Sequence, residues 1–577
     1  MCGIIAISGV NLDIEKYDTD SMLKTIKQRG PDSTGIMKFP HCFFGHQRLS
    51  IIDLRGGTQP MQSKNLSITF NGEIYNYKNL RSELSAGGIV FETNSDTEVI
   101  LKAYQRWGPR CVEKLDGMFA FVIWDNYKEE LFFARDKIGK KPLFYCFDEQ
   151  KKDILISSEI KSLVASKVFI PKIDYSAIDN YLRVMYIPPW KTVYKNIHQL
   201  APAHYALYKN GVTTITRYWQ LVYKPAHISY EDAKNEVHRL LINAVNKRLI
   251  SSDTEVGSFL SGGVDSSLVT IIASNLLSRT LKTFAVSYRG HDELSFAKQV
   301  SEKINSELFS IEINQADMLE LETIVEYFDE PHADTSDFPQ HLISKLASEK
   351  LKVVLSGDGA DEIFLGYKWH NRGTYEDLFD RRMNAICVFD DESRKELWGS
   401  DKYCNNDVIL PEVFVGLNND VEKVEIFDLT SHLPGQILTK VDRASMMHGL
   451  EVRCPFLDIE LIEYVFNLPY EYKVTTSSQK HILREILSLY MPRDFSFRKK
   501  QGFGSPIWEW MNSENVKKYI YDKLGQTAII RQFLNGEVID KYVSHLYTES
   551  PKHERAYQRV WVLLCLELWV KNNQQYL

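Results

Sequence analysis

At 577 residues, with 44% hydrophobic and 25% charged side chains, the chain exceeds what one core usually serves and has the composition of a folded protein; two large domains are expected, and disordered or fibrous classes are excluded. Its net charge of −7, with no Lys/Arg-rich run, argues against a nucleic-acid partner. Eight cysteines without CxxC spacing argue against zinc and for reduced thiols in a cytoplasmic protein, no apolar run reaches the roughly 20 residues of a membrane span, and the start lacks the basic flank of a secretory leader.

Residues 1 to about 205 read as short strands with turn punctuation: GIIAISG, HCFFGHQRL, LSITFNGEIYN, MFAFVIWD, LFFARD, LFYCF, ILISSE and HYALYKNG, with a helix around DTEVILKAYQRWG. The connection TTITRYWQLVYKPAH leads into SYEDAKNEVHRLLINAVNKRLI. There Ser229 and Asp232 form a capping-box pattern, and Val237, Leu240, Leu241, Ala244 and Val245 repeat at helical spacing. A boundary in that connection gives domains 1–205 and 228–577. Beyond it the texture becomes strand, loop, helix: VGSFL and a Gly-rich loop, TFAVSY and a polar segment, KVVLSG and an acidic loop. Such alternation predicts a parallel sheet covered by helices, with ligands at the carboxyl ends of its strands. About the last 130 residues read mainly as helices.

The most specific local signal is FLSGGVDSS, residues 259 to 267, between a predicted strand and the apolar helix SLVTIIASNLL. Two glycines permit a tight turn whose N–H groups, with the hydroxyls of Ser261, Ser266 and Ser267 and the helix N-terminus, surround an anion. No GK[ST] follows, so this is not a Walker A loop. A bare SGG is most often a plain turn; the strand, SGGxDS and helix together resemble the loop of the PP-loop ATP pyrophosphatases, which implies cleavage between the α and β phosphates. Asp265 then has a role beside Mg²⁺. A second loop, SGDGADE at 356 to 362, follows KVVL and carries three carboxylates, Asp358, Asp361 and Glu362, which call for a cation or a substrate amine unless they are a solvated turn.

The opening MCGIIAISG places a thiol directly behind the initiator methionine. With QRGPDSTG, HQRLSIID, FNGEIYN, SDTEVI, LDGMFAF, ARDKIGKKPLFY, SSEIKSL, FLSGGVDSS, LSGDGADEIF, KVDRASMMHGLEVRCPFLD, KHILRE and FRKKQGF in order, nearly the whole chain resembles the glutamine-dependent asparagine synthetases of the bacterial type. The resemblance implies two domains: an N-terminal α+β sandwich (αββα) of the N-terminal-nucleophile (Ntn) class acting as glutaminase, and a C-terminal α/β parallel sheet of PP-loop type with added helices. It implies removal of Met1 and attack by Cys2 on the glutamine side-chain amide. A free α-amine, with a pKa of roughly 7.7 to 8, is a base matched to a weakly ionised thiol.

By the same resemblance Arg48 pairs with the α-carboxylate of glutamine, Glu73 and Asp96 hold its ammonium, and Asn71 with the Gly72 N–H forms the oxyanion hole. ATP rests against Leu260, Val286, Ser356 and Gly357, with Ser261, Gly262, Gly263, Asp265 and Ser266 around the pyrophosphate. Asp358 is implied as proton acceptor, Asp265 and Asp361 as metal ligands, and Lys500, with Lys499 beside it, as a phosphate partner. Lys480 and Arg484 read as structural or phosphate-facing. The implied substrates are glutamine, aspartate and ATP with Mg²⁺, the implied assembly a homodimer, and the expected path for ammonia an apolar interdomain channel.

Three departures touch the acceptor. Asp358 stands where some of these synthetases have glutamate, Leu365 makes FLGY of the commoner FGGY, and PHADTS at 331 to 336 differs from a FADPS-like pattern. An amidotransferase acting on a sugar acid or antibiotic precursor is therefore the first alternative. A non-catalytic scaffold is opposed by the intact Cys2, Arg48, Asn71, Asp265, Asp358 and Lys500. A tRNA-modifying enzyme is opposed by the acidic charge and the complete glutaminase half.

Overall fold

A computed structural model describes the chain apart from residues 149–150, 226, 289–292, 315–317, 319, 372–375, 400–407, 409–410, 418, 500–505 and 549–553. Among the described residues the first half holds twelve strands: β1 (Gly3–Ser8), β2 (Ser33–Phe39), β3 (Cys42–Arg48), β4 (Met61–Ser63), β5 (Leu66–Ile74), β6 (Gly117–Asp125), β7 (Glu130–Arg135), β8 (Phe144–Phe147), β9 (Ile154–Ser157), β10 (Ile197–Gln199), β11 (His204–Lys209) and β12 (Val212–Arg217). They form two six-stranded antiparallel sheets, ordered β10-β8-β9-β1-β3-β2 and β12-β11-β7-β6-β5-β4.

The period of two along each strand builds the layers. Ile4, Ala6, Phe44, Ala120, Val122, Trp124 and Phe133 form the core between the sheets. Their neighbours Ile5, Ile7, Phe43, Phe119, Phe121, Ile123 and Phe132 belong to the main core on the outer faces. There the helices Thr19–Thr25 and Ile160–Val164 cover the first sheet and Asp96–Trp107 covers the second, giving the αββα sandwich. Central β6 is buried along its whole length, as a strand covered on both faces must be, whereas edge strand β12 is largely exposed. The second sheet runs past residue 205 because Asn210 and Gly211, at φ 52° and 77°, turn β11 back into β12 as a two-residue hairpin.

The helix Tyr230–Ile250 opens the second half, with Ser229 accepting from the Asp232 N–H as its cap and all five periodic apolar residues buried. Five parallel strands follow: β13 (Val256–Phe259), β14 (Lys282–Tyr288), β15 (Glu307–Ile313), β16 (Val353–Leu355) and β17 (Glu451–Arg453), in the order β15-β14-β13-β16-β17. The strand order reverses between β13 and β16, and at such a switch point the loops after the two strands part to leave a crevice. Those loops are SGGVDSS and SGDGADE. Strand β17 sits within a stretch that reads as helical, and with three residues it offers no periodicity to detect.

The two halves meet through buried charge. Arg29 pairs with Glu159 at 2.9 Å and Asp442 at 2.8 Å, and Arg443 reaches Glu159 at 3.0 Å and Asp329 at 3.3 Å. Breaking one such buried pair typically costs about 3–5 kcal/mol, because the surviving charge loses its partner. Asp442 and Arg443 lie on the helix Leu438–Met446, which continues the π-helical run Asp428–Ile437. Among the described residues no helix is long and apolar enough to cross a membrane.

Candidate active sites

Cys2 immediately precedes β1 and is 7% exposed. Its N–H donates to Asn71 Oδ1 at 2.9 Å, its carbonyl accepts from Arg29 Nε at 3.0 Å, and its Sγ lies 4.0 Å from the Leu49 carbonyl. Burial raises the thiol pKa, opposed by the chain's terminal ammonium and by Arg48. Met1 is itself buried, its side chain against Tyr75, Met118 and Met446 and its ammonium 2.9 Å from Glu451 Oε2.

Asn71 and Glu73 share one face of β5 because they are two residues apart. Each keeps one polar atom in reserve: Asn71 Nδ2 and Glu73 Oε1 are buried without partners. An unsatisfied buried group costs about 1–3 kcal/mol, so both atoms favour a ligand that brings an acceptor and a donor. Gly72 between them has no room for a side chain, since a Cβ would stand 2.1 Å from the Met118 carbonyl oxygen. Asp96 opens the helix Asp96–Trp107 and accepts from the Ile74 N–H at 3.1 Å. Burial lifts its pKa to about 6 against the pull of the Ile74 and Thr97 N–H groups. Burial and then Asp96 raise Glu73 well above the usual carboxylate range. Arg48, at the end of β3, donates to the carbonyls of Ile52, Asp53 and Leu54 and so fixes the loop at the pocket's rim. The structure thus brings Cys2, Arg48, Asn71, Gly72, Glu73 and Asp96 close together around the start of β1.

In the second site, the loop after β13 is knit by its own hydroxyls. Ser261 Oγ lies 3.0 Å from Ser266 Oγ and accepts from the Gly263 N–H at 3.2 Å, with Gly262 at φ 77°. The 13-residue helix Val264–Leu276 starts there, its N-terminus facing the loop after β16. A Cβ on Gly357 would lie 2.9 Å from Ser266 N and 3.0 Å from Asp265 Cβ, so the two loops touch only because that residue is glycine. Leu260 donates its N–H to the Phe284 carbonyl, and Val286 lies buried in β14. Ser356 donates its hydroxyl to Asp358, whose carboxyl burial raises and Lys440 opposes.

Lys480 stands between the two acidic positions, 2.6 Å from Asp265 Oδ2 and 2.8 Å from Asp361 Oδ1. Burial works against its charge, but the two carboxylates outweigh burial and hold its pKa up. Asp265 Oδ1 is buried without a partner. One or two carboxylates together with substrate phosphates make an ordinary Mg²⁺ site, and this pair fits that description. Among the described residues no group of three or more His, Cys, Asp or Glu forms an all-protein metal cluster.

Lys500 lies outside the described residues, Lys499 is exposed, and Arg484 braces the carbonyls of Gln479, Ser496 and Arg498. Among the described residues, Lys480 is the buried cation that pairs with both Asp265 and Asp361. Lys440, which donates to Asp334 at 3.1 Å and Ser336 at 2.8 Å, was not singled out from sequence, whereas Lys480 was named as structural or phosphate-facing. The PHADTS segment is knit by the same contacts, with His332 Nδ1 2.7 Å from Asp337. A cavity of about 30 Å³ between the halves has a mixed lining, with Arg135, Asp442 and Arg443 beside Phe144, Ile187 and Leu438.

An Ntn-type αββα domain with a buried cysteine at its second position, joined to a parallel-sheet domain with a PP-loop at its switch point, defines an amidotransferase coupled to a nucleotide-dependent synthetase. The asparagine synthase family model matches residues 236–571 and the glutamine amidotransferase domain model residues 1–219. The chain is 31% identical to asparagine synthetase [glutamine-hydrolyzing] 1 of Bacillus subtilis (strain 168), over 99% of this chain and 96% of the relative. It is 32% identical to asparagine synthetase [glutamine-hydrolyzing] 3 of the same organism, over 93% of each chain. Identity to asparagine synthetase B [glutamine-hydrolyzing] of Escherichia coli (strain K12) is 27%, over 92% of this chain and 87% of the relative. The chain belongs to the asparagine synthase family.

Proposed function

We propose that the protein is a glutamine-hydrolysing asparagine synthetase, converting ATP, aspartate, glutamine and water into AMP, pyrophosphate, asparagine and glutamate. The observation that carries the glutaminase half is the pair of unsatisfied buried atoms beside Cys2, Asn71 Nδ2 and Glu73 Oε1. With Met1 removed, the α-amine of Cys2 takes the thiol proton and Sγ attacks the glutamine amide carbon. Asn71 Nδ2 and the Gly72 N–H receive the oxyanion, a contribution worth about 3–4 kcal/mol in comparable sites. Ammonia leaves, and water hydrolyses the thioester to glutamate. Glu73 and Asp96 hold the substrate ammonium, and Arg48 its α-carboxylate.

In the second half the aspartate β-carboxylate attacks the α-phosphorus of ATP. Pyrophosphate leaves into the Ser261, Gly262, Gly263 and Ser266 cradle. Ammonia then attacks β-aspartyl-AMP, Asp358 accepts its surplus proton, and AMP departs. Asp265 and Asp361 would hold the Mg²⁺ that accompanies ATP, which would offset polyphosphate charge there, and Lys480 adds a fixed positive charge between the same carboxylates. Removing Met1 also vacates space bounded by Tyr75, Met118 and Met446, the last from the synthetase half, which supports passage of ammonia from Cys2 between the domains. The free cysteines support a reducing, cytoplasmic setting.

The test is one assay with ATP, Mg²⁺, aspartate and glutamine that follows AMP, pyrophosphate and asparagine, with controls lacking aspartate or glutamine. Aspartate-dependent AMP matched by asparagine is expected. Glutamine hydrolysis without aspartate-dependent AMP would keep the amidotransferase and move the acceptor to another carboxylate.

A further inference from the structure

Glu73 draws its countercharge from the other half of the molecule. Arg453, in β17 of the synthetase sheet, donates from Nη2 to Glu73 Oε2 at 3.1 Å across the domain interface. The guanidinium is fully buried and fixed from every side: Nε donates to Glu451 Oε1 at 2.6 Å, Nη1 to the Arg248 carbonyl at 2.6 Å, and Nη2 also to the Ser251 carbonyl at 3.0 Å. We propose that Arg453 is a positioning residue for glutamine: it pins Glu73 Oε2, leaves Oε1 turned to the substrate ammonium, and makes the synthetase domain a structural part of the glutamine pocket. This rests on the reading of Glu73 as an acceptor for that ammonium.

The chemistry favours arginine at this position. A planar fork serves two carboxylates and two carbonyls at fixed angles, which an ammonium cannot do. Glu73 faces Asp96, Glu451 and the chain's terminal ammonium as well as Arg453, so the arginine is one of two nearby positive charges set against three carboxylates. Removing it leaves Glu73 harder to ionise. The main chain of Arg453 performs a separate task, since its carbonyl accepts from the Ser356 N–H at 2.9 Å beside the ATP loops. A side-chain substitution leaves that hydrogen bond in place, so synthesis from free ammonia reports whether the second site is intact.

The experiment uses full-length R453M, R453K and E73Q, measuring kcat and KM for glutamine, synthesis from ammonia, and the pH profile of kcat/KM for glutamine. R453M is expected to raise the glutamine KM by about 10- to 100-fold, to keep ammonia-driven synthesis within about threefold, and to move the acid limb of the profile to higher pH. R453K keeps the charge without the fork and falls between R453M and the native chain; it also serves if R453M does not fold. An unchanged glutamine KM in R453M, or equal loss of turnover with both nitrogen donors and no shift of the acid limb, would overturn the proposal. E73Q separates the two layers of the argument. If E73Q leaves KM unchanged, the reading of Glu73 fails; if E73Q raises KM and the arginine variants do not, only the role of Arg453 fails.

Discussion

The two active sites are held together in opposite ways. The glutaminase pocket stands on strands β1, β3 and β5 and a helix start, its side chains locked by backbone partners, with just the donor and acceptor a substrate amide and ammonium would use left spare. The synthetase pocket stands on two loops at a switch point, and its carboxylates Asp265 and Asp361 already share a cation, Lys480. The first site is preorganised for a neutral amide and a zwitterion. The second must redistribute its charges when a polyphosphate and its metal arrive. Rigid strands suit the first task, and loops closing on a helix N-terminus suit the second.

The sharpest way to break this comparison is to disable each site separately. Cys2→Ala is expected to abolish glutamine use, a loss of about a thousandfold or more, while ammonia-driven synthesis survives; product analysis with each nitrogen donor checks it. Loss of both activities would mean the sites are not separable. Asp265→Asn is expected to stop AMP formation with either donor while glutamine hydrolysis continues. Lys480→Met should cost about 10²- to 10³-fold in synthesis with either donor and leave glutamine hydrolysis near native, the signature of lost charge at the phosphates. Arg48→Ala comes next: losing a charged hydrogen bond of about 1.5–3 kcal/mol raises the glutamine KM about 10- to 150-fold. A KM that does not move would remove Arg48 from the carboxylate.

A smaller effect sharpens the electrostatic side. On the proposed reading glutamine binding requires Asp96 as well as Glu73 ionised, and burial lifts the Asp96 pKa to about 6. As pH falls through that value the acid form takes over, so kcat/KM for glutamine should drop about tenfold per unit below it. Synthesis from ammonia should lack that particular limb, and Asp96→Asn should make it shallower, leaving the step that belongs to Glu73.

What the sequence made legible was what a few adjacent residues decide. FLSGGVDSS announced a loop between strand and helix because the turn glycines, the hydroxyls and the apolar helix are contiguous, and NGE marked β5 for the same reason. The partners of the cations that complete both sites were harder to see: Lys480 was named without its carboxylates, and Arg453 was not named at all. Lys480 meets Asp265 across 215 positions and Arg453 meets Glu73 across 380, separations that leave no local pattern. Their strand and helix starts are short, and pairing in space rather than propensity makes them form. The hairpin through Asn210 and Gly211 carried a readable turn, and its second strand, Val212–Arg217, runs into the connection where the boundary was placed.

The last departure from the family pattern gives the smallest expected effect and decides whether the acceptor pocket differs. Leu365 adopts φ 53°, the left-handed region that glycine enters freely and that costs other residues about 1–2 kcal/mol. Its side chain is fully buried against Leu378, Val424 and Val474, and losing such a leucine costs about 2–5 kcal/mol. Burial outweighs strain, so Leu365→Gly should lower Tm, by about 1–3 kcal/mol of stability, although it restores the commoner FGGY sequence. The neighbouring Gly366 N–H donates to the Asp361 carbonyl, which ties this turn to the acidic loop. If Leu365 is packing alone, the KM for aspartate stays within about threefold while Tm falls. A shift in that KM at unchanged Tm would mean that leucine shapes the acceptor site, and the chain's choice of carboxylate would have to be sought there.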